Sequence, residues 1–553
     1  MNKIVEHGVR HIFMVTGRGA LFLTDAVAAN PNLTGVCVHH EQSAAYAAVA
    51  YADYQESLGA CLVSTGCAGT NALTGVLNAW QDGLPCIFIS GQNKVNETSY
   101  HTGIPLRTFG QQEANLIPIV QSITKYSVMI TDPNDIAYEM DKAIHLAQSG
   151  RKGPVWIDIP LDIQNKRIAP QKLHRFIPKK ENLFEPIDTD IEYLINAIND
   201  SSRPSILIGS GIRSSNAIDV FHELIEKTNI PVTYSNAAPD IFGAEHPFSI
   251  GSVGAMGCSR AGNFTVQNSD LLIVLGSRLS SMTTGEDHKT FARAAKVIVV
   301  DIDSVEHTKQ SIKIDRLIIS DAKQLIEVLL NREIKKTNQK WVEQCFHWKK
   351  IFPYNEKTFQ SDRPVDLYFL SECLTKELPE DAVVVSDSGL IELILPTNIS
   401  FKRNQRCIHP ASQGSMGFAL PGLIGAYYAS SKPILSVIGD GSVMMNLQEL
   451  ETIRYNKIPA KIFIINNNAY AVIRKRQIDL FRTRTIGVDP SDGISCPDFN
   501  KVANAFDIPY LKINTSEELS EKLNEIMSTD GPLLCEIMGE VDQNYIHISY
   551  TIK

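Results

Sequence analysis

Gly439-Asp440-Gly441-Ser442 follows the apolar run ILSVI directly, and Asn466-Asn467 ends the next such run, KIFII, with residues 442–465 between the two halves. Asp440 offers a hard anionic oxygen and Asn467 a neutral carbonyl oxygen, a pair suited to Mg²⁺ held together with substrate phosphates. Gly441 and Ser442 would open a helix whose free N–H groups and positive dipole end favour a diphosphate. A second carboxylate, Glu41, stands with His40 where the run GVCVHH gives way to the helical pattern EQSAAYAAVAYA. Both features have ordinary readings, since glycine–aspartate turns are common and a first-turn glutamate is favoured by the helix dipole alone. The ordinary reading weakens for the first feature because its two halves lie at successive strand ends.

Such residues need a scaffold of strands that end together. The first block alternates short apolar runs (HIFMV, GVCVHH, ACLVST, PCIFISG) with helical patterns (ALFLTDAVAA, EQSAAYAAVAYADYQ, NALTGVLNAW) and closes with GPVWIDIP, Gly153 to Pro160. This alternation predicts a parallel, doubly wound sheet. Gln164 to about Asp188, rich in Lys and Pro, reads as a linker. A second block holds RPSILIGSG, DLLIVLGSR (Asp270 to Arg278) and KVIVVDID (Lys296 to Asp303), and looks like a smaller nucleotide-binding unit. After a polar, Lys-rich stretch from Arg332 to Lys357, a third block carries AVVVSDSG, ILSVIGDGS and AKIFIINNN. The expected fold is α/β, with three doubly wound parallel-sheet domains over residues 1–165, 188–332 and 360–540. Ligands in open parallel sheets sit beyond the carboxyl ends of the strands, where both candidate features lie.

Composition narrows the partners. Of 553 residues, 44% are hydrophobic and 20% charged, and no run of about 20 apolar residues could span a bilayer. A net charge of -9 without a Lys/Arg-rich run argues against nucleic acid and anionic lipid as partners and for small molecules. The ten cysteines form no CxxC pair and read as free thiols in a reducing cytoplasm, and the start MNKIVEHGVRHIF lacks the pattern of a signal peptide.

With these residues in view, the chain resembles the acetohydroxyacid (acetolactate) synthase branch of the thiamin-diphosphate enzymes. The resemblance runs from about Val9 to Met538, through HHEQSAAYAAVAYA, GCAGTNALTGVLNAWQDGLPCIFISGQ, QQEANLIPIVQSITKYS, GPVWIDIPLDIQ, QGSMGFALPGLIGA and GDGSVMMNLQELETIRYNKIPAKIFIINNN. It implies a pyrimidine-binding, a central and a diphosphate-binding domain, with thiamin diphosphate and Mg²⁺ as cofactors. Asp440, Asn467 and the Ala469 carbonyl become metal ligands. Asp387, Ser388, Gly389, Gly414, Gly439, Gly441 and Ser442 become cofactor contacts, and Met416 an apolar wedge beneath the cofactor. Glu41 becomes the acid that protonates the aminopyrimidine nitrogen, a role for which burial would raise its pKa. Gly66 and Asn71 match a cofactor-binding turn. Gln92, Gln112 and Glu113 match polar active-site positions, and Lys125 a lysine near the substrate channel, although Gln112 and Lys125 read equally well as surface turn residues. Gly17 and Gly19 match a glycine loop near the reacting centre, where a backbone N–H could polarise a substrate carbonyl.

The implied reaction is decarboxylation of a 2-keto acid, pyruvate above all, and transfer of the resulting acyl carbanion to a second carbonyl compound. The alternatives are a non-ligating decarboxylase or oxidase, or a catalytically silent cofactor-binding protein. The resemblance also implies a homodimer at least, with a homotetramer as the larger option. Departures are local. The family's Gln-His-Gln after the third domain's opening turn reads Leu390-Ile391-Glu392, and its acceptor-pocket tryptophan falls at Arg476. Its flavin-binding Met-His-Gly reads Ala255-Met256-Gly257 and its Asp-Asp-Arg reads Ser280-Ser281-Met282, although Arg278, Asp301 and Asp303 remain. FAD binding is therefore left open, with activity expected to be independent of it.

Overall fold

A computed structural model describes residues 1–179, 184–309, 311–353 and 362–547. Runs of Val, Ile and Leu without polar alternation suit strands buried on both faces, as parallel strands between helices are. The first sheet holds β1 (His11–Met14), β2 (Thr34–Cys37), β3 (Gly59–Val63), β4 (Cys86–Gln92), β5 (Tyr126–Met129) and β6 (Val155–Pro160) in the order β2-β1-β3-β4-β6-β5, every pair parallel.

The central sheet is built from β7 (Pro204–Ile208), β8 (Val232–Tyr234), β9 (Ser249–Ser252), β10 (Leu271–Leu275), β11 (Lys296–Asp301) and β12 (Arg316–Ile319), ordered β12-β11-β10-β7-β8-β9. Its strand order reverses between β7 and β10, the crevice where nucleotides bind in sheets of this kind.

The third sheet comprises β13 (Val383–Ser386), β14 (Arg406–Ile408), β15 (Ile434–Gly439), β16 (Ala460–Asn466), β17 (Tyr510–Ile513) and β18 (Leu533–Met538) in the order β14-β13-β15-β16-β18-β17. Counted from its own first strand, this is the order of the first sheet. The glycine–aspartate turn after β15 is thus the topological counterpart of the Gly66 turn after β3.

The helices that follow the second strand of each outer sheet, Glu41–Gln55 and Ala419–Ser430, are counterparts too, and they pack on one another. From Ser43 to Ala52 the first of them is buried on every side, which only a run of small residues allows at such close range. The largest apolar core spans both outer sheets across this helix pair.

Two stretches hold more structure than expected. The linker reading for Gln164–Asp188 meets one helical turn at Pro170–Lys172, while residues 180–183 lie outside the described residues. Within Arg332–Lys357, Gln339–Ile351 is a helix capped by Asn338; it buries Trp341, Val342 and Cys345, with Trp341 and Cys345 packed against Ile250 and Ala261 of the central unit. Residues 354–357 of that stretch lie outside the described residues. All ten cysteines are free. Among the described residues no helix is long and apolar enough to cross a membrane.

Candidate active site

β15 and β16 run side by side, with Gly439 opposite Ile465, so the loops leaving them meet. Asp440 is buried, and its Oδ2 accepts the backbone N–H groups of Asn467 at 3.1 Å and Asn468 at 2.6 Å, while Oδ1 accepts that of Gly441 at 2.7 Å. Asn468 completes the loop in the left-handed region, at φ 54°, a conformation asparagine tolerates. Burial pushes the Asp440 carboxyl up to about 6, against the pull of those N–H donors. Among the described residues no lysine or arginine pairs with it. A buried carboxylate held by backbone N–H groups and, among the described residues, by no cationic side chain, beside the Asn467 amide and the Ala469 turn, is an oxygen-rich place for a hard divalent cation.

These residues line a cleft of about 650 Å³ with Gly439, Gly441, Ser442, Ser388 and Gly389. Met416 forms part of its wall, as do Leu390 and Ile391, which make one side apolar where the family pattern is polar. The cleft also shows residues that the sequence reading missed. Tyr470 lies across the turn so closely that a Cβ on Gly441 would stand 1.9 Å from its ring. Its place directly after Ala469 was the available signal. The Cys496 thiol faces Asp440 and is pushed up to about 12 by burial and by that carboxylate, and nothing in the local sequence pattern marks it.

Asp387 has a different task from the expected cofactor contact. Its buried carboxylate accepts N–H groups from Ser388 at 2.9 Å, Gly417 at 3.2 Å and Ala419 at 2.9 Å, so it braces the Met416 loop and does not line the cleft. Gly414 lies outside the lining as well. At φ 59°, it packs so that a Cβ would come within 2.8 Å of Glu392 Oε2.

A second group gathers at the carboxyl ends of β1, β2 and β3. His40 caps the Glu41 helix by accepting the Gln42 N–H at Nδ1, 3.2 Å. Asn71 Nδ2 donates to Glu41 Oε2 at 2.9 Å. Gly66, at φ 61°, leaves room for the Gln112 carbonyl, which a Cβ would meet at 1.8 Å, and Gln112 itself has φ 61°. Gly17 and Gly19 pack against Ser64 and Thr65, the residues just before Gly66. The Gly19 N–H donates to Ser64 Oγ at 3.1 Å, so in the single chain that N–H is engaged within the protein. In the single chain Glu41 is half-buried, short of the burial expected for it, and it does not line the cleft of Asp440.

The remaining expected positions separate. Gln92 is buried, donating to Asp158 Oδ2 at 3.1 Å and to the Ala114 carbonyl at 2.9 Å. Glu113 ties its own loop through Ser99 and Phe109. Lys125 precedes β5, at the opposite end of the sheet, and donates to the Ser149 carbonyl at 2.6 Å. Burial lowers it to about 8. The structure does not bring it to the Glu41 group.

Beyond the carboxyl ends of the central sheet lies a cleft of about 1400 Å³, bordered by the turns Gly209-Ser210-Gly211 and Gly276-Ser277-Arg278 and by Asp301 and Asp303. Of the acids in its lining, Asp303 pairs with Arg151 at 2.8 Å and Asp301 meets His307 at 3.2 Å.

Comparison with known proteins agrees along the chain. Residues 2–117 match "Thiamine pyrophosphate enzyme, N-terminal TPP binding domain", residues 191–329 its central domain, and residues 387–537 its C-terminal TPP binding domain. The chain is 31% identical to the acetolactate synthase large subunit of Porphyra purpurea over 98% of its length and 92% of that protein. It is 31% identical to the probable acetolactate synthase large subunit of Methanocaldococcus jannaschii, over 97% of this chain and 90% of that one. Against acetolactate synthase 1, chloroplastic, of Oryza sativa subsp. japonica the figure is 28%, covering 96% and 82%.

Proposed function

The chain belongs to the thiamine pyrophosphate enzymes, together with acetolactate synthase large subunits, and from that premise we propose that it decarboxylates a 2-keto acid, pyruvate in the first place, and joins the remaining acyl unit to a second carbonyl compound. The bond to the carboxylate breaks, CO₂ leaves, a carbon–carbon bond forms to the acceptor carbonyl, and the acceptor oxygen takes up a proton. Bound thiamin diphosphate supplies the electron sink for the negative charge left when CO₂ departs.

The observation that carries this reading is Asp440, a buried carboxylate without a cationic side chain, fastened by backbone N–H groups to the loop that bears Asn467 and Ala469. Asp440 Oδ, Asn467 Oδ1 and the Ala469 carbonyl would hold Mg²⁺, while the Gly441 and Ser442 end of the turn receives the diphosphate. Met416 supports the cofactor from the cleft wall. Glu41 holds a proton at the cofactor's pyrimidine nitrogen, and Asn71 orients that carboxyl.

Glu41 and Asp440 do not share a cleft within one chain, which supports a homodimer as the minimum working unit, with a dimer of dimers as the larger option. The exposed side chains of Phe109, Met444 and Met445 suit such an apposition. Flavin has no part in turnover, and a reducing cytoplasm suits ten free thiols.

Incubation of the purified protein with thiamin diphosphate, Mg²⁺ and labelled pyruvate tests the reading. CO₂ release with label in a longer carbon skeleton is expected. Acetaldehyde or acetate as the only product would replace it with non-ligating decarboxylation or oxidation.

A further inference from the structure

The helix Ala471–Phe481 leaves the metal turn and lines the cleft with its first residues, Ala471, Val472 and Ile473. Arg476 stands four residues beyond Val472, on the same helix face and about 6 Å further out along the axis. It ends a run of three cations whose members differ in their surroundings. Arg474 is neutralised by Asp489 at 2.9 Å and Asp542 at 2.7 Å, and Lys475 by Asp479 at 3.1 Å.

Arg476 has no carboxylate partner among the described residues, and its Nη2 rests 4.0 Å from the thioether of Met256. Met256 is itself fixed. The Gly257 N–H donates to the Ile546 carbonyl at 2.7 Å, and Met256 forms a β-bridge with His547. The guanidinium is thereby placed where the third unit meets the central one, just beyond the helix residues that line the cleft. Ile473, Ile478, Leu480 and Phe481 are exposed on the same helix.

An exposed cation in a chain of net charge -9, left unpaired while its neighbours are paired, is electrostatically free to take an anion that arrives with a ligand. Its planar fork of donors matches the two oxygens of a carboxylate or phosphate better than a point charge does. We propose that Arg476 is a specificity-determining residue that binds the anionic group, carboxylate or phosphate, of the acceptor carbonyl compound. This rests on the carboligase reading above and names the class of its second substrate.

The test compares wild type, Arg476→Gln and Arg476→Lys as holoenzymes with thiamin diphosphate and Mg²⁺. Pyruvate serves as donor, and 2-ketobutyrate, dihydroxyacetone phosphate and uncharged dihydroxyacetone as acceptors. Loss of a charge-assisted pair is expected to raise the KM of one charged acceptor about tenfold or more in Arg476→Gln. The KM of the uncharged acceptor should move less than twofold, and Arg476→Lys should recover part of the loss. Whichever charged acceptor shows the effect identifies carboxylate or phosphate as the group read.

Calorimetric titration of the same two charged compounds into each holoenzyme, without pyruvate, reads the contact independently of turnover. Arg476-dependent binding in an enzyme that releases no CO₂ from pyruvate would remove the reaction assigned above and leave this contact standing. Equal affinities and equal KM values for both charged compounds in wild type and Arg476→Gln would overturn the proposal.

Discussion

A Cβ placed on Gly425 would stand 2.0 Å from the carbonyl oxygen of Ala47, so the helices Ala419–Ser430 and Glu41–Gln55 meet backbone against backbone. This approach joins the sheet that carries Glu41 to the sheet that carries Asp440. Gly425→Val should push the helices apart, costing about 3 kcal/mol as overpacking does in a closed core. Urea unfolding would show it as a lowered midpoint. A midpoint unchanged from wild type would mean that the two helices have room to spare.

Glu41→Gln tests the proton that Glu41 is proposed to hold. The amide keeps the shape and can still meet Asn71, so folding and cofactor binding should persist. Turnover should fall at least about a hundredfold, the scale for losing a proton-transfer group. Rates within a few-fold of wild type would remove Glu41 from the mechanism.

The α/β class was legible because strands such as Leu271–Leu275, Lys296–Asp301, Ile434–Gly439 and Ala460–Asn466 are largely apolar runs that end in or run into Gly, Asp or Asn, and the candidate metal turn stood out because its halves end successive runs. Features set by distant neighbours were not legible. The Gly19 N–H is taken by Ser64, 45 residues away, and Asp387 braces backbone groups 30 and 32 residues downstream. The helix Gln339–Ile351 was hidden because its buried face is only Trp341, Val342 and Cys345 among polar residues. Glu41 is half-buried in the single chain, and that depth is set by packing around it that no local pattern shows.

Asp440→Ala removes the only anionic oxygen of the proposed metal set. Without it the cation loses its strongest protein ligand and the diphosphate loses its bridge. Calorimetry with thiamin diphosphate and Mg²⁺ should show binding reduced beyond detection, while Asp440→Asn, which keeps an oxygen, should retain a weak isotherm. Tight binding in Asp440→Ala would place the metal elsewhere.

Activity should not depend on added FAD. Asp301 and Asp303 are engaged by His307 and Arg151, and Met256 is tied to the chain's own tail and to Arg476. Carboligation rates with and without FAD should agree. A yellow protein that loses activity when stripped and regains it on readdition would contradict this.

Glu392 provides a pH dependence with a definite sign. It is largely buried against Gly414, near the Asp82 and Asp387 carboxylates, and burial first and those charges second push it up to about 8. Among the described residues no lysine or arginine compensates it. A carboxyl whose folded pKa is raised holds its proton in the folded chain after the unfolded chain has released it. Its contribution to stability is therefore fully present below the unfolded value of about 4.5 and is lost as pH rises toward 8. The limit is about 1.4 kcal/mol for each pH unit of that window. Gln has the same shape and does not titrate, so Glu392→Gln should melt progressively higher than wild type from pH 5 to pH 8, with the difference levelling off above. A melting difference that stays constant across that range would show that Glu392 ionises in the folded chain as it does in the unfolded one, and that the acid beside Gly414 is solvated there.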